Sequence, residues 1–171
     1  MNKFEKEVWE EIDEFPNYMV SSFGQVANIR MGGTILTPRP NQFGHIRVGL
    51  VKDNRQYNRG LALLVATAFI QNPMTTWDTV IHLDGDLYNC AASNLMWRPR
   101  WFTLAFHKQF YDPRFVEDHG PIIDLESSVV YDSPKEACVK HGLLYTEIIR
   151  SINNGYSTFP FAQRWASIDS Y

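Results

Sequence analysis

The chain has little cysteine and no long apolar segment, and both shortages limit what it can be. Its 171 residues include two cysteines, Cys90 and Cys138, without the CxxC spacing of a zinc site or a disulfide framework. No apolar run reaches the roughly 18 residues of a membrane span, and the start MNKFEKEVWEE is too charged for a signal peptide. We therefore expect two free thiols in a soluble, intracellular protein that has no membrane partner.

The chain also lacks an overall positive charge. Its net charge is −3 and its pI is about 5.9, which argues against a protein whose whole surface binds nucleic acid. The charges are unevenly distributed, however. The opening segment is acidic, with Glu5, Glu7, Glu10, Glu11, Asp13 and Glu14. Positions 30 to 59 are basic, with Arg30, Arg39, Arg47, Lys52, Arg55 and Arg59 opposed by Asp53 alone. This pattern indicates either a basic binding strip or charges that are simply solvated.

The segment VIHLDGDLYNCAASNLMW, residues 80–97, carries the most specific motif. A β-branched run ending at His82 predicts a strand, and the sequence Asp84-Gly85-Asp86 predicts a turn. Asn89 and Asn94 follow in the loop, and residues 95–97 predict the return strand. Residues 98–110 then predict a helix, because phenylalanine recurs at every fourth position.

This order of two strands and a helix, with H-x-D-G and N-L-x-W at the same spacing, resembles the ββα-metal unit of HNH nucleases of the phage and intron homing-endonuclease branch. The resemblance implies that His82 is the general base and that Asn94 holds the loop in register, both as catalytic-site residues. It also implies a divalent metal, Mg²⁺ or Mn²⁺. The cell compartment that it implies is the cytoplasm of a phage-infected bacterium.

The two positions at which this family places its metal ligands hold Ile81 and Thr103 instead. An aliphatic side chain offers no lone pair to a hard cation, and a hydroxyl is a poor substitute. Cleavage is therefore expected to be reduced or lost, with no cofactor. One alternative is a displaced metal site formed by Asp84, Asp86 and His107. The other is that Asp84 caps its own turn, Asp86 is solvated and His107 lies on a helix surface.

Two further segments extend the resemblance over nearly the whole chain. Residues 9–29 follow the pattern of a small module that precedes many HNH homing endonucleases, and residues 34–59 predict a β-ribbon whose arginines share one face. The helix 61–69 is predicted to pack on this ribbon. The resemblance places the ribbon and the entry to the last ββα element along DNA, which nominates Arg30, Arg39, Arg47, Arg55, Arg59, Arg98 and Arg100 as DNA-binding residues.

The C-terminal part resembles the helix-turn-helix module of the same endonucleases. A hairpin is predicted at residues 121–131, followed by a helix that starts at Ser133-Pro134 and ends at Gly142. A second helix is predicted over residues 145–153, and the resemblance directs one face of it towards DNA. The residues expected on that face are Tyr145, Thr146, Arg150, Ser151 and Asn154. A helical pair used for protein contact is the alternative.

The expected fold class is therefore α+β: a small antiparallel sheet or ribbon with helices, an HNH-like ββα unit and a helix-turn-helix appendage. The expected domains are residues 1–111 and 121–171, joined by a linker at 112–120. Three functions remain open, and each has its own partner. The first is a monomeric protein that binds double-stranded DNA with little or no cleavage, and the second is an active nicking enzyme with an altered metal site. The third is a phage interaction or virion component that binds a phage or host protein.

Overall fold

The computed structural model describes residues 6–115 and 120–168, and it divides into two compact units, Met1–Arg100 and Trp101–Tyr171. This boundary falls inside the predicted nuclease-type domain, and residues 116–119 of the predicted linker lie outside the described residues. Within the described part of the chain, no helix is long and apolar enough to cross a membrane. Both cysteines are free, and both are buried.

The described residues of the first unit form three antiparallel sheets and one central helix. The strands of its four-stranded sheet are β1 (Trp9–Glu11), β2 (Tyr18–Ser21), β3 (Val26–Asn28) and β4 (Thr34–Ile35). The ribbon consists of β5 (Arg39–Pro40), β6 (Ile46–Lys52) and β7 (Arg55–Gly60), and the last pair of strands is β8 (Thr79–His82) and β9 (Leu95–Arg98). Helix α1 (Leu61–Phe69) contacts strands of all three sheets, which makes it the common core element.

The ribbon shows how local sequence sets the register. Along β6 the side chains of Ile46, Val48 and Leu50 are buried, whereas the alternate positions are exposed, as a period of two requires. Asp53 and Asn54 both have positive φ angles, 51° and 57°, in a two-residue turn. Such turns match the twist of the flanking strands, so β6 and β7 pair without a slip.

The second unit starts within helix α2 (Arg100–Gln109), whose first residue still belongs to the first unit. It also contains β10 (Ile122–Asp124), β11 (Val130–Tyr131), α3 (Pro134–His141), α4 (Tyr145–Asn154) and β12 (Trp165–Ser167). Its core joins both helices of the pair to the sheet through Leu143, Ile148 and Trp165. Strand β12 pairs with β10 and has no counterpart in the sequence prediction.

The predicted start of α3 is confirmed in its local geometry. The Oγ atom of Ser133 accepts a hydrogen bond of 3.2 Å from the backbone N–H of Glu136, and Pro134 occupies the first turn. Gly142 ends the helix with a left-handed φ of 59°. The Gln109 side chain of α2 then binds the turn between α3 and α4, because it donates to the Leu143 carbonyl and accepts from the Tyr145 N–H.

Candidate nuclease-type site and nucleic-acid surface

His82 ends strand β8 and is buried, with 3% of its surface exposed. Strand β9 runs antiparallel beside it and places Leu95 opposite His82 and Met96 opposite Ile81. The Nε2 atom of His82 lies 3.9 Å from the Sγ atom of Cys90. Cys90 is therefore a neighbour of His82 that the sequence analysis missed, because the two residues come close only when the loop between them folds.

The loop after His82 is held by hydrogen bonds around Asp84. Its carboxylate accepts from the backbone N–H of Asp86 at 2.9 Å, and from the side-chain amides of Asn89 at 2.7 Å and Asn94 at 2.9 Å. Asn94 also accepts from the Asp84 N–H at 3.1 Å and donates to the Asn89 carbonyl at 2.8 Å. Asn94 thus joins both ends of the loop.

The Cys90 thiol is neutral in this environment. Burial, together with a smaller effect of the negative charge of Asp86, raises its pKa to about 11. The thiol lies 3.7 Å from the Leu87 carbonyl as well as near His82. A thiol of this pKa acts as a weak hydrogen-bonding group and not as a thiolate nucleophile at neutral pH.

The turn region of the N-terminal sheet, after β2, packs against the same loop. The backbone N–H of Ala92 donates to the Ser22 carbonyl at 2.8 Å. Gly24 has a φ of +85°, and a Cβ atom there would lie 3.1 Å from the carbonyl carbon and oxygen of Cys90. The turn between β2 and β3 therefore needs glycine both for its conformation and for its close approach to the loop.

The residues present do not fit the metal site that the resemblance implies. Ile81, at the first ligand position, has no exposed surface. Thr103 and His107 lie one turn apart on α2, in the second unit, and both are half-buried. Among residues 6–115 and 120–168, no three His, Cys, Asp or Glu side chains form a group that would hold a metal ion. The turn-capping interpretation of Asp84 agrees with its observed hydrogen bonds.

The ribbon presents its arginines on two faces, which corrects the expectation of one. Arg47 pairs with Gly60 in the ladder, whereas Val48 pairs with Arg59, so Arg47 and Arg59 point to opposite sides. Arg39 lies directly opposite Arg47, and both are exposed. No carboxylate among the described residues forms an ion pair with either of these two guanidinium groups. Like charges directly opposed in a sheet repel, so this pair is suited to an anionic partner.

Arg59, on the other face of the ribbon, is bound within the protein. Its guanidinium forms an ion pair with Glu14 and lies 5.1 Å from the ring centre of Phe15 and 5.3 Å from that of Tyr57. The hydrogen bond from Arg59 lowers the pKa of Glu14. Part of the acidic opening segment thus neutralises one of the predicted DNA-binding arginines, and a phosphate would have to compete with this carboxylate.

Three other predicted DNA contacts are buried side chains. Arg98 has 1% of its surface exposed, donates to the Trp97 carbonyl and lies over the Trp77 ring, and burial lowers its pKa to about 10. Tyr145 packs in the core of the second unit, and the Ser151 hydroxyl accepts from the Trp165 N–H. Arg98, Tyr145 and Ser151 therefore leave the set of DNA-binding candidates, because a buried side chain cannot reach a phosphate or a base edge.

The remaining candidates are accessible to a ligand. Arg30, Arg55 and Arg100 are exposed on the first unit. On α4 the exposed positions Thr146, Arg150 and Asn154 recur at a spacing of four and form one face. Arg150 is the basic residue of that face, and Glu147 lies 3.4 Å from it on the preceding turn.

Two antiparallel strands joined by a D-G loop are followed along the chain by a helix, the order that the resemblance to HNH nucleases predicts. Comparisons with known proteins find the same likeness. The model of the NUMOD4 motif matches residues 7–51. Two proteins of Acanthamoeba polyphaga mimivirus, the uncharacterized HNH endonucleases L245 and L247, are 34% identical over 89 residues and 35% identical over 95 residues. These matches cover 52% and 53% of this chain, which spans about a quarter of each relative, 26% and 23%.

The fold has a solved counterpart. The solved structure of the HNH homing endonuclease I-HmuI, a protein that binds and cleaves DNA, matches with a TM-score of 0.53 and 22% identity, over 93% of this chain and 97% of that one. The predicted resemblance to HNH homing endonucleases and the predicted α+β fold class are therefore confirmed.

Proposed function

We propose that this protein binds double-stranded DNA in the manner of an HNH homing endonuclease and that its metal-dependent cleavage is reduced or lost. One observation carries the second part: Ile81, with no exposed surface, occupies the position at which the resembling nucleases hold their metal. His82 alone can take a proton from water, but it does not compensate the negative charge that develops on a phosphate and its leaving oxygen.

The state of Asp84 supports the same proposal. Its carboxylate already accepts three hydrogen bonds from within the loop, so recruiting it as a ligand would remove bonds that join Asp84 to Asp86, Asn89 and Asn94. Asp86 likewise accepts a hydrogen bond from the Tyr88 N–H at 2.9 Å. A metal site displaced onto these carboxylates would therefore compete with the structure of the loop.

The proposed DNA contact is the exposed face of the ribbon. Arg39 and Arg47 sit side by side on it, and the exposed side chains of Gln56 and Asn58 extend it along β7. Guanidinium groups hold phosphates in defined geometry, and amide side chains add neutral hydrogen bonds. An acidic protein can bind DNA through such a face, because counterion release depends on the local cluster of charge and not on the net charge.

A plasmid-nicking assay tests the loss of cleavage. Supercoiled plasmid is incubated with the protein and Mg²⁺ or Mn²⁺, beside an EDTA blank and the variant His82→Ala. We expect intact plasmid in all three. We expect the double variant Ile81→Asp, Thr103→Asn to nick, because it returns an oxygen ligand to both family positions. Wild-type nicking that is abolished by EDTA and by His82→Ala would overturn the loss of cleavage and identify an active enzyme.

Salt-dependent binding tests the DNA contact. The dissociation constant for a 30-base-pair duplex is measured by fluorescence anisotropy over a range of salt concentrations. For each phosphate contact that is lost, the slope of the logarithm of the dissociation constant against the logarithm of the salt concentration falls by about 0.9. The double variant Arg39→Ala, Arg47→Ala should therefore reduce the slope by about 2. The matched control is Lys6→Ala, an exposed cation of the acidic opening segment. Equal slopes for wild type and the arginine variant would refute this face as the contact.

A further inference from the structure

The turn between β5 and β6, residues 41–45, presents an aromatic side chain to solvent. Phe43 stands in the middle of this turn with 70% of its surface exposed. Phenylalanine is a costly residue to expose, since burial of such a side chain contributes roughly 1.5–3 kcal/mol. We therefore infer that Phe43, at the tip of a hairpin, contacts a ligand.

The turn holds Phe43 in a fixed place. The Oδ1 atom of Asn41 accepts from the backbone N–H groups of Phe43 at 2.9 Å and His45 at 3.0 Å. The Asn41 carbonyl accepts from the N–H of Gly44 at 3.0 Å, and the Asn41 N–H donates to the His45 carbonyl at 2.9 Å. With four hydrogen bonds across five residues, the backbone is ordered before any ligand binds, which lowers the entropy lost on binding.

The surroundings of the tip select the kind of ligand. Arg39 and Arg47 are cross-strand partners at the base of the same hairpin, and the segment 39–47, RPNQFGHIR, contains no acidic residue. A side chain at Gly44 would lie 3.6 Å from Leu87, so the tip adjoins the loop that follows His82. Tyr88 in that loop is also 65% exposed. The two arginines of the hairpin are complementary to DNA phosphates, and the exposed rings of Phe43 and Tyr88 are complementary to the flat faces of nucleobases.

We propose that Phe43 stacks on a base of the bound DNA, as a wedge at an unstacked step, while Arg39 and Arg47 hold the flanking phosphates. This inference rests on the proposed DNA binding and adds the kind of DNA preferred: a duplex with unpaired or easily unstacked bases. When an apolar side chain inserts between two stacked bases, unstacking them costs free energy. This cost is smaller where the bases are already unpaired. Base stacking on an aromatic ring does not depend on sequence, so no target sequence is needed to test it.

The test compares two 30-base-pair duplexes that differ only by a central two-base mismatch. Dissociation constants at one salt concentration are measured for wild type, Phe43→Ala, Phe43→Tyr and Tyr111→Ala. Tyr111 is the matched control, because it is an aromatic residue of the second unit with 86% of its surface exposed. We expect wild type to bind the mismatched duplex at least about fivefold more tightly than the matched one. Phe43→Ala should lose this preference, whereas Phe43→Tyr and Tyr111→Ala should keep it.

The two duplexes separate the two proposals. Binding of the matched duplex reports the proposed function, and its absence in wild type would refute DNA binding itself. Where the matched duplex is bound, equal affinity of wild type for both duplexes would overturn the stacking role. A preference that persists in Phe43→Ala would overturn it as well. Circular dichroism of each variant verifies the fold, which an exposed turn residue is not expected to disturb.

Discussion

Replacing Asn94 with alanine should destabilise the first unit, because this side chain closes the loop between β8 and β9. Three hydrogen bonds are lost: one from the Asp84 N–H, one to the Asp84 carboxylate and one to the Asn89 carbonyl. The backbone bond from Leu83 to the Asn94 carbonyl remains, so the substitution tests the side chain alone.

The expected magnitude follows from the number and kind of these bonds. A neutral hydrogen bond contributes about 0.5–1.5 kcal/mol and one to a charged group about 1.5–3 kcal/mol. Asn94 is half-buried and Asp84 is exposed, so water replaces part of each lost bond. The sum therefore falls near its lower end, and we expect the free energy of unfolding to drop by about 2 kcal/mol.

Urea unfolding measures this loss. With a slope of about 2 kcal/mol per molar urea, the midpoint should fall by about 1 M. Ser93→Ala is the matched control, because Ser93 is exposed and lies in the same turn of 3₁₀ helix. A change below about 0.5 kcal/mol in Asn94→Ala, or an equal change in both variants, would refute the view that this side chain holds the loop.

Two further outcomes are expected. Gly24→Ala should lower the free energy of unfolding by at least about 1–2 kcal/mol, because alanine is strained at a positive φ. The loss should exceed that of Gly32→Ala, since both glycines have positive φ but, of the two, Gly24 alone lies against a neighbour, Cys90. Equal losses in urea unfolding would contradict a role for this contact. Burial lowers the pKa of His141 below its ordinary value of 6.5, so the unfolded chain binds a proton more readily and stability should fall as the pH drops below 6.5. His141→Gln should weaken this dependence between pH 7.5 and 5.5, and an unchanged dependence would assign it to other groups.

Local rules of sequence account for the elements that were predicted correctly. The strands on either side of the D-G loop, the helix at Leu61–Phe69 and the capped start of α3 all appear where the sequence placed them. Each depends on residues a few positions apart, namely an alternating apolar pattern, a turn dipeptide or a capping serine. Strand β12 was missed because its pairing with β10 depends on residues distant in the chain.

The sequence by itself determined the order of the elements, the resemblance to HNH homing endonucleases and the presence of Ile81 and Thr103 at the ligand positions. Only the tertiary structure decided which candidates are accessible. The ladder register places Arg47 and Arg59 on opposite faces of the ribbon, and packing buries Arg98 and Tyr145. Residue type reports charge and size, but the side on which a residue lies is set by strand pairing and by contacts between segments far apart in the chain.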